Sequence, residues 1–331
     1  MNGSTVSIIG AGIAGLACAR VLSDAGVPVA LFDKGRGPGG RLSTRRTPFG
    51  RFDHGAQFFT VRDPDFEEQV EAWREAGLVA PWDRRFGRVE DGALSSADRS
   101  PRFVGTPKMN AFIAEEAAAL GAQFGMRIGT PCRQGDGRWC LYTECGHCAW
   151  KAEWMVLAVP AEQAAELLCG LGPRGSSKLA GEARAARSAP TWTLMAQFEG
   201  NDDFPFDAVE AGGPVLDWIS RDASKPGREG AGRWVAHATS EWSRDHLEAS
   251  PCEIVSALTE AFRALTGIET KRVFADAHRW RYARVTEAAG TPFGLDAEAR
   301  LAACGDWRLG PRIESAWISG RRLGEALLER L

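Results

Sequence analysis

Near the start of the chain, Gly10-Ala11-Gly12-Ile13-Ala14-Gly15 spells G-x-G-x-x-G between a β-branched run and an Ala/Leu-rich stretch. Each glycine has its own task. Gly10 allows a tight turn, Gly12 lets the backbone approach a pyrophosphate, and Gly15 lets a helix pack closely on a strand. The helix that opens here, with Ala14 in its first turn, offers unpaired N–H groups and a positive dipole end to phosphates. Asp33 ends the next strand, where a carboxylate accepts hydrogen bonds from a ribose diol, and Lys34 beside it is assigned to the same ligand. The set predicts a bound dinucleotide. It does not separate FAD from NAD.

The elements that must hold these residues read as a β-α-β unit: a strand at Val6–Ile9, a helix over 13–22 closed by Gly26, and a strand at Val29–Phe32. Such a unit predicts a parallel sheet. A Gly/Pro/Arg-rich loop is expected over 35–51. A helix over 64–76 has Asp63 as its N-cap and Pro64 at its first position, and irregular or short-strand sequence fills 81–104. A second helix is expected from Thr106-Pro107 to Leu120, then strand-like stretches at 122–128, 138–143 and 149–159. The middle of the chain, about 161–290, changes texture, with many tryptophans, loops such as 227–232, and strands at 192–198 and 234–238. Ser250-Pro251-Cys252-Glu253 is a capping box opening a helix that stops near Gly267. A last helix starts near Glu314. The expected fold is α/β: a Rossmann-type, discontinuous dinucleotide domain of residues 1–62, 101–160 and 291–331. A substrate domain of α+β type, residues 63–100 and 161–290, is inserted into it.

Three further segments bear on the choice of dinucleotide. They are Gly37-Pro38-Gly39-Gly40-Arg41, then Asp53-His54-Gly55-Ala56-Gln57-Phe58-Phe59, and then Ala303-Cys304-Gly305-Asp306 followed by Glu314-Ser315-Ala316-Trp317-Ile318-Ser319-Gly320. In these the chain resembles the amine-oxidase-like flavoproteins. The resemblance implies FAD, with the p-hydroxybenzoate-hydroxylase-like architecture of that superfamily. It implies that Gly40 and Arg41 run beneath the cofactor, where the arginine neutralises pyrophosphate charge. It implies that the 53–59 segment passes the isoalloxazine ring, with Gly55 allowing close approach, the Gln57 amide bonding a flavin heteroatom, and Phe58 alongside. Gly305 and Asp306 would meet the ribityl chain or pyrophosphate. The last helix, opening at Glu314, would point its N-terminus at the pyrimidine edge, where a positive dipole end stabilises the reduced anionic ring. Ile128 would lie against the adenine side, or serve as an ordinary core residue. The covalent-attachment sequence Ser-Gly-Gly-Cys-Tyr does not occur, so the FAD is expected to be non-covalent.

Within that superfamily the chain resembles renalase and its bacterial relatives, through 53–59, His278-Arg279-Trp280-Arg281-Tyr282-Ala283, 303–320 and, more loosely, Val235-Ala236-His237-Ala238-Thr239. The resemblance implies oxidation of 2- or 6-dihydro-NAD(P) isomers to NAD(P)⁺, with hydride transfer to flavin and reoxidation by oxygen to hydrogen peroxide. Such a donor needs orientation more than acid–base machinery, because aromatisation drives the transfer. Trp280 and Tyr282 are candidate aromatic walls, and Gln57 and His237 candidate site residues. Each has a plainer alternative in sheet or core packing, as does Trp192. Arg281 alternates with the two aromatics and faces the other way. An FAD-dependent amine or amino-acid oxidase is the competing reading. A flavin-dependent isomerase or desaturase, or a flavin-binding protein without turnover, stands behind it.

Cys140, Cys145 and Cys148, with His147 between, match the spacing of some iron–sulfur ligands. Yet 144–147 reads as a hairpin turn, and no metal is expected. The 331 residues suffice for two domains of about 100–200 residues. The net charge of −3 gives no basic field for nucleic acid. The 8 scattered cysteines fit free thiols in a reducing cytoplasm. No signal peptide or membrane span of about 18 apolar residues is read. The expected partners are a small-molecule substrate and oxygen. The oligomeric state is left open.

Overall fold

A computed structural model describes residues 5–97, 100–172, 175–200 and 203–331, with side chains throughout these except at Cys148 and Ala149. The reading of residues 1–4 as a leaderless start lies outside the described residues. The chain forms two compact units: Met1–Gly40, Ile113–Ser188 and Val285–Leu331 make the first, Arg41–Phe112 and Ala189–Arg284 the second.

The first unit is built on a five-stranded sheet, in the order Gly294–Asp296, Leu301–Ala303, Trp154–Leu157, Val6–Ile9 and Val29–Phe32. The last four are parallel and the first runs antiparallel at the edge. The central strands Val6–Ile9 and Trp154–Leu157 are buried on both sides, as their near-continuous apolar sequence, broken only by Ser7, requires. The expected mixed α/β fold with a parallel sheet is therefore present. The Ile13–Asp24 helix packs against the final helix, Ile313–Leu328, at very short range. A Cβ on Gly320 would sit 1.9 Å from the Ala14 carbonyl oxygen, and one on Gly324 would sit 2.8 Å from the Val21 Cβ. Two glycines four residues apart thus let the two backbones touch. An antiparallel three-stranded sheet of Cys132–Arg133, Trp139–Tyr142 and Cys148–Ala152 completes the unit.

The second unit is a seven-stranded sheet, ordered Arg272–Glu287, Arg187–Phe198, Arg233–Ala238, Leu216–Arg221, Ala208–Glu210, Phe86–Glu90 and Ala93–Ser96. One face is covered by the Pro251–Thr266 helix, whose Ile254, Leu258 and Phe262 pack with Leu194, Ala196, Phe198, Ile219 and Trp234. Alternation along the strands puts Met195, Val235 and His237 on the other face, and the first two of these pack with Phe52.

Several boundaries differ from the sequence expectation. The expected 35–51 loop contains a hairpin of Thr44–Thr47 and Gly50–Asp53, because Phe52 supplies a buried anchor at sheet spacing. The expected 106–120 helix begins only at Ala111 and ends at Ala119. Its would-be first turn is held elsewhere, since the Met109 N–H donates to Asp53 Oδ1 at 3.0 Å. The 122–128 stretch makes only isolated bridges, at Gln123 and Ile128, and Gly125 breaks it at a φ of 70°.

The unit boundaries shift too. Helices Ala161–Gly170 and Ser177–Ala185 bury Ala164, Leu168, Leu179 and Ala183 against Met155, Leu157 and Leu301, so 161–188 belongs with the five-stranded sheet. Residues 41–62 and 101–112 belong with the second unit, where Phe59 packs on Phe66, Phe103 and Phe112.

Candidate functional site

In the first unit the glycine fingerprint has the geometry its sequence calls for. Gly10 takes a φ of 107°, and a Cβ there would lie 2.3 Å from the Ala158 carbonyl oxygen. A Cβ on Gly15 would lie 2.0 Å from the Gly10 carbonyl oxygen. Gly12 is different: a Cβ there would meet no protein atom within 4 Å. The helix that follows has Gly12 as N-cap, no side-chain cap and no acidic residue in its first turn. Its N–H groups are therefore left to an anion from outside the helix.

Asp33 accepts from the Ala11 N–H at 2.9 Å and the Gly35 N–H at 2.7 Å, so the carboxylate fastens the second strand to the glycine loop. Each oxygen keeps a lone pair. Lys34 is exposed and donates to Gln163 Oε1 at 2.9 Å. Gly305 takes a φ of 147°, and its N–H donates to Ser319 Oγ at 2.9 Å, joining the 303–306 segment to the last helix. Asp306 and Glu314 are both buried, and Arg312 pairs with Glu314 at 2.9 Å. Ile128 is buried in the core cluster with Leu141 and Leu157. Gly40 has open space around it at a φ of 52°.

The remaining candidates lie in the second unit. Arg41 Nη1 donates to the carbonyls of Tyr282 and Ala283, each at 3.4 Å. Gly55 does allow a close approach, but to protein: its Cβ would sit 1.9 Å from the Arg41 carbonyl oxygen. The half-buried Trp280 donates its indole N–H to the His54 carbonyl at 3.0 Å and lies beside the His54 and His278 rings, at 5.0 and 4.4 Å. Tyr282 is half-buried two residues further on. Phe58 is half-buried, 5.2 Å from the Trp218 ring, while Phe59 is core. Trp192 is also core, its indole N–H bound to the His246 carbonyl at 2.9 Å. Arg281 pairs with Glu248 at 2.7 Å.

Sequence reasoning missed the polar network beneath these residues. Lys225, with no exposed side-chain surface, lies 3.0 Å from Asp222, 3.5 Å from Asp53 and 2.9 Å from Gln57 Oε1. Arg228 also pairs with Asp53, and Thr44 donates to that carboxylate at 2.6 Å. Burial pushes the Asp53 carboxyl up, but Lys225, Arg228 and Thr44 outweigh it and hold the group at about 2. Burial wins at Asp222, whose carboxyl is raised despite Lys225. The Lys225-Pro226-Gly227-Arg228 stretch resembles any basic loop in sequence, so nothing local announces its burial.

This network also engages the Gln57 amide, for which a flavin heteroatom was the expected partner. Its Oε1 accepts from Lys225 at 2.9 Å and Ser220 at 2.7 Å, while its Nε2 donates to the carbonyls of Asp53 and, at 3.0 Å, Gly55. The NH₂ end thus faces protein acceptors and the oxygen end protein donors. His237 lies 3.4 Å from Gln57 Nε2. Burial above all, then the charge of Lys225, lowers its imidazole to about 4. Burial, then His278 and Arg45, lowers His54 to about 3, and burial with Arg45 lowers His278 to about 4.

Of the cysteines weighed as ligands, Cys140 is buried in its strand and Cys145 lies on the hairpin turn 3.4 Å from His147 Nδ1. The side chain of Cys148 lies outside the described residues. Among the described residues no group of three or more His, Cys, Asp or Glu could hold a metal ion, and no helix is long and apolar enough to cross a membrane.

Comparison with known proteins agrees with the geometry. Residues 8–73 match the NAD(P)-binding Rossmann-like domain. A carotenoid 3,4-desaturase of Haloarcula japonica is 38% identical over 63 residues, a stretch that is 19% of this chain and 13% of that protein. The chain thus matches only a small part of that relative's length. Solved structures resemble it over its whole length. One is a protein of Exiguobacterium sp. 255-15 provisionally named a protoporphyrinogen oxidase, with a TM-score of 0.79 and 12% identity over all of both chains. Another is cyclohexylamine oxidase of Brevibacterium oxydans IH-35A, with a TM-score of 0.76 and 14% identity over 99% of both chains. At such identity the likeness establishes the fold.

Proposed function

We propose that the chain is an FAD-dependent oxidoreductase that holds its cofactor non-covalently and oxidises a dihydronicotinamide dinucleotide of the 2- or 6-dihydro type. Dinucleotide binding rests on the open space at Gly12 in front of an uncapped helix with no acidic first turn. The choice of FAD rests on the glycine-rich and C-terminal segments that resemble flavoproteins, and on a fold shared with amine-oxidase structures. When bound, the flavin would accept a hydride from the donor and return two electrons to oxygen as hydrogen peroxide.

The single observation that carries the substrate reading is the charge balance around the candidate wall. Trp280, Tyr282, His237 and Phe58 are accompanied by two buried carboxylates, Asp53 and Asp222, and Lys225 pairs with both while Arg228 pairs with Asp53. His54, His237 and His278 are neutral at pH 7. An ammonium substrate would find no uncommitted anion in this set, and its deprotonation would find no ready base. A dihydropyridine needs neither. It needs a flat apolar wall and a donor carbon held about 3–3.5 Å from its acceptor.

The amine-oxidase reading is favoured by the fold likeness to cyclohexylamine oxidase. Anaerobic mixing of the FAD-loaded protein with dihydronicotinamide isomers and primary amines separates the two. We expect the 2- or 6-dihydro isomers to bleach the flavin, with ordinary 4-dihydro-NAD(P)H and amines slower by orders of magnitude. Faster bleaching by an amine reverses the assignment. Trp280→Ala should slow bleaching while FAD content is unchanged.

A further inference from the structure

Lys225 has a fully buried side chain and no part in the hydride transfer proposed above. We propose that Lys225 is a positioning residue which, by clamping the Gln57 amide, fixes His237 as the tautomer protonated on Nδ1, with its Nε2 lone pair turned to Gln57.

The argument starts from the ammonium, which can donate hydrogen bonds and cannot accept them. At 2.9 Å it therefore identifies its partner atom on Gln57 as the oxygen. The other end of the amide agrees. It faces two backbone carbonyls, of Asp53 and Gly55, which can only accept. Flipping the amide would set an NH₂ against an ammonium and an oxygen against two carbonyl oxygens, so the orientation is fixed by its partners rather than by electron count. The Gln57 NH₂ group then faces His237 Nε2 at 3.4 Å. The amide nitrogen can only donate, so a proton on that ring nitrogen would set donor against donor, while a lone pair there can share an NH₂ hydrogen with the two carbonyls. The ring's one proton must sit on Nδ1.

His237 is neutral at pH 7 because burial and the Lys225 charge lower it to about 4, and the groups facing it are Gln57, Lys225 and the His54 backbone. The His54 carbonyl that helps to hold His237 is also the acceptor for the Trp280 indole at 3.0 Å. The clamp thus runs from Lys225 through Gln57 and His237 to the segment that carries the candidate aromatic wall. It leaves His237 unable to serve as a base. That functional meaning rests on the reading under Proposed function; the tautomer does not.

The test is a two-bond ¹H–¹⁵N correlation of the imidazoles in FAD-loaded protein at pH 7. The chain has five histidines, and the spectrum of His237→Gln identifies the one that matters. We expect His237 to show a protonated Nδ1 and a bare Nε2. In Gln57→Glu the carboxylate can only accept, and the proton should move to Nε2. In Ser220→Ala the ammonium is the only donor left to Gln57 Oε1 from this pair, and a single Nδ1-protonated form should persist. A protonated Nε2 in the unmodified protein overturns the proposal. So does an unmoved proton in Gln57→Glu. A mixture of tautomers in Ser220→Ala assigns the clamp to the hydroxyl and removes Lys225 from the role. Failure of dihydronicotinamides to bleach the flavin, with the expected tautomer present, sinks only the substrate reading.

Discussion

Two substitutions at the glycine loop and one carboxylate separate cofactor binding from folding. A side chain at Gly12 meets no protein atom within 4 Å, whereas one at Gly15 meets the Gly10 carbonyl oxygen at 2.0 Å. Gly12→Val should therefore give a folded protein with the unmodified apoprotein's Tm that retains no FAD on gel filtration. Gly15→Val should lower the Tm of the apoprotein itself. Equal Tm losses in the two would remove Gly12 from the phosphate cradle. Asp33→Ala loses a charged acceptor for the ribose, worth roughly 1.5–3 kcal/mol, or about 10- to 150-fold in the FAD Kd. Asp33 also fastens the Ala11 and Gly35 N–H groups, so part of that loss acts through the loop. An unchanged Kd in a folded Asp33→Ala protein would contradict the ribose role.

The elements were legible wherever the signal was local. Ser250 and Glu253 form the reciprocal capping box read from their spacing, and Gly267 ends that helix at a φ of 67°. Asp63 caps the helix that Pro64 opens. Ser250→Ala should cost about 1 kcal/mol, seen as a lower urea midpoint at unchanged slope; an unchanged midpoint would mean that packing of Ile254, Leu258 and Phe262 alone sets that helix. What could not be read was tertiary. The start of the Ala111–Ala119 helix is set by Asp53, which lies far away in the sequence and takes the Met109 N–H. The site divides the same way. The glycine loop and Asp33 follow from a short motif, but the roles of Gly55 and Gln57 depend on Arg41, Ser220 and Lys225, which only folding brings to them. The close crossing of the first and last helices was likewise invisible, although Gly320 and Gly324 stood in plain sequence. Gly320→Leu should unseat that crossing and release FAD, since a Cβ alone would lie 1.9 Å from the Ala14 carbonyl oxygen; retention of FAD would show that the crossing can spread.

For the molecule as a whole, the three lowered histidines and Asp53, the buried one among the lowered carboxyls, make stability depend on pH. A group whose folded pKa is depressed stabilises the fold above its unfolded value, and that contribution is lost as pH falls toward its folded value. His54 at about 3 and His237 and His278 at about 4 therefore predict a loss of stability beginning near pH 6.5, well before ordinary carboxylates titrate. Asp53 at about 2 adds a second loss below about pH 4. Asp222, raised by burial, contributes in the opposite sense. Urea midpoints should decline between pH 6.5 and 4; a flat profile over that range would mean that the imidazoles are not held neutral. The order of strands in the dinucleotide sheet has a different kind of consequence. Val6–Ile9 pairs with Trp154–Leu157, which in turn pairs with Leu301–Ala303. During translation the glycine loop emerges before Trp154–Leu157 and Leu301–Ala303, so its sheet waits through two excursions into the other unit for its neighbours. The cradle is made before those strands and finished only when they arrive. Cofactor capture then waits for Leu301–Ala303, and a nascent chain arrested before Leu301 should leave the ribosome colourless however much flavin is supplied.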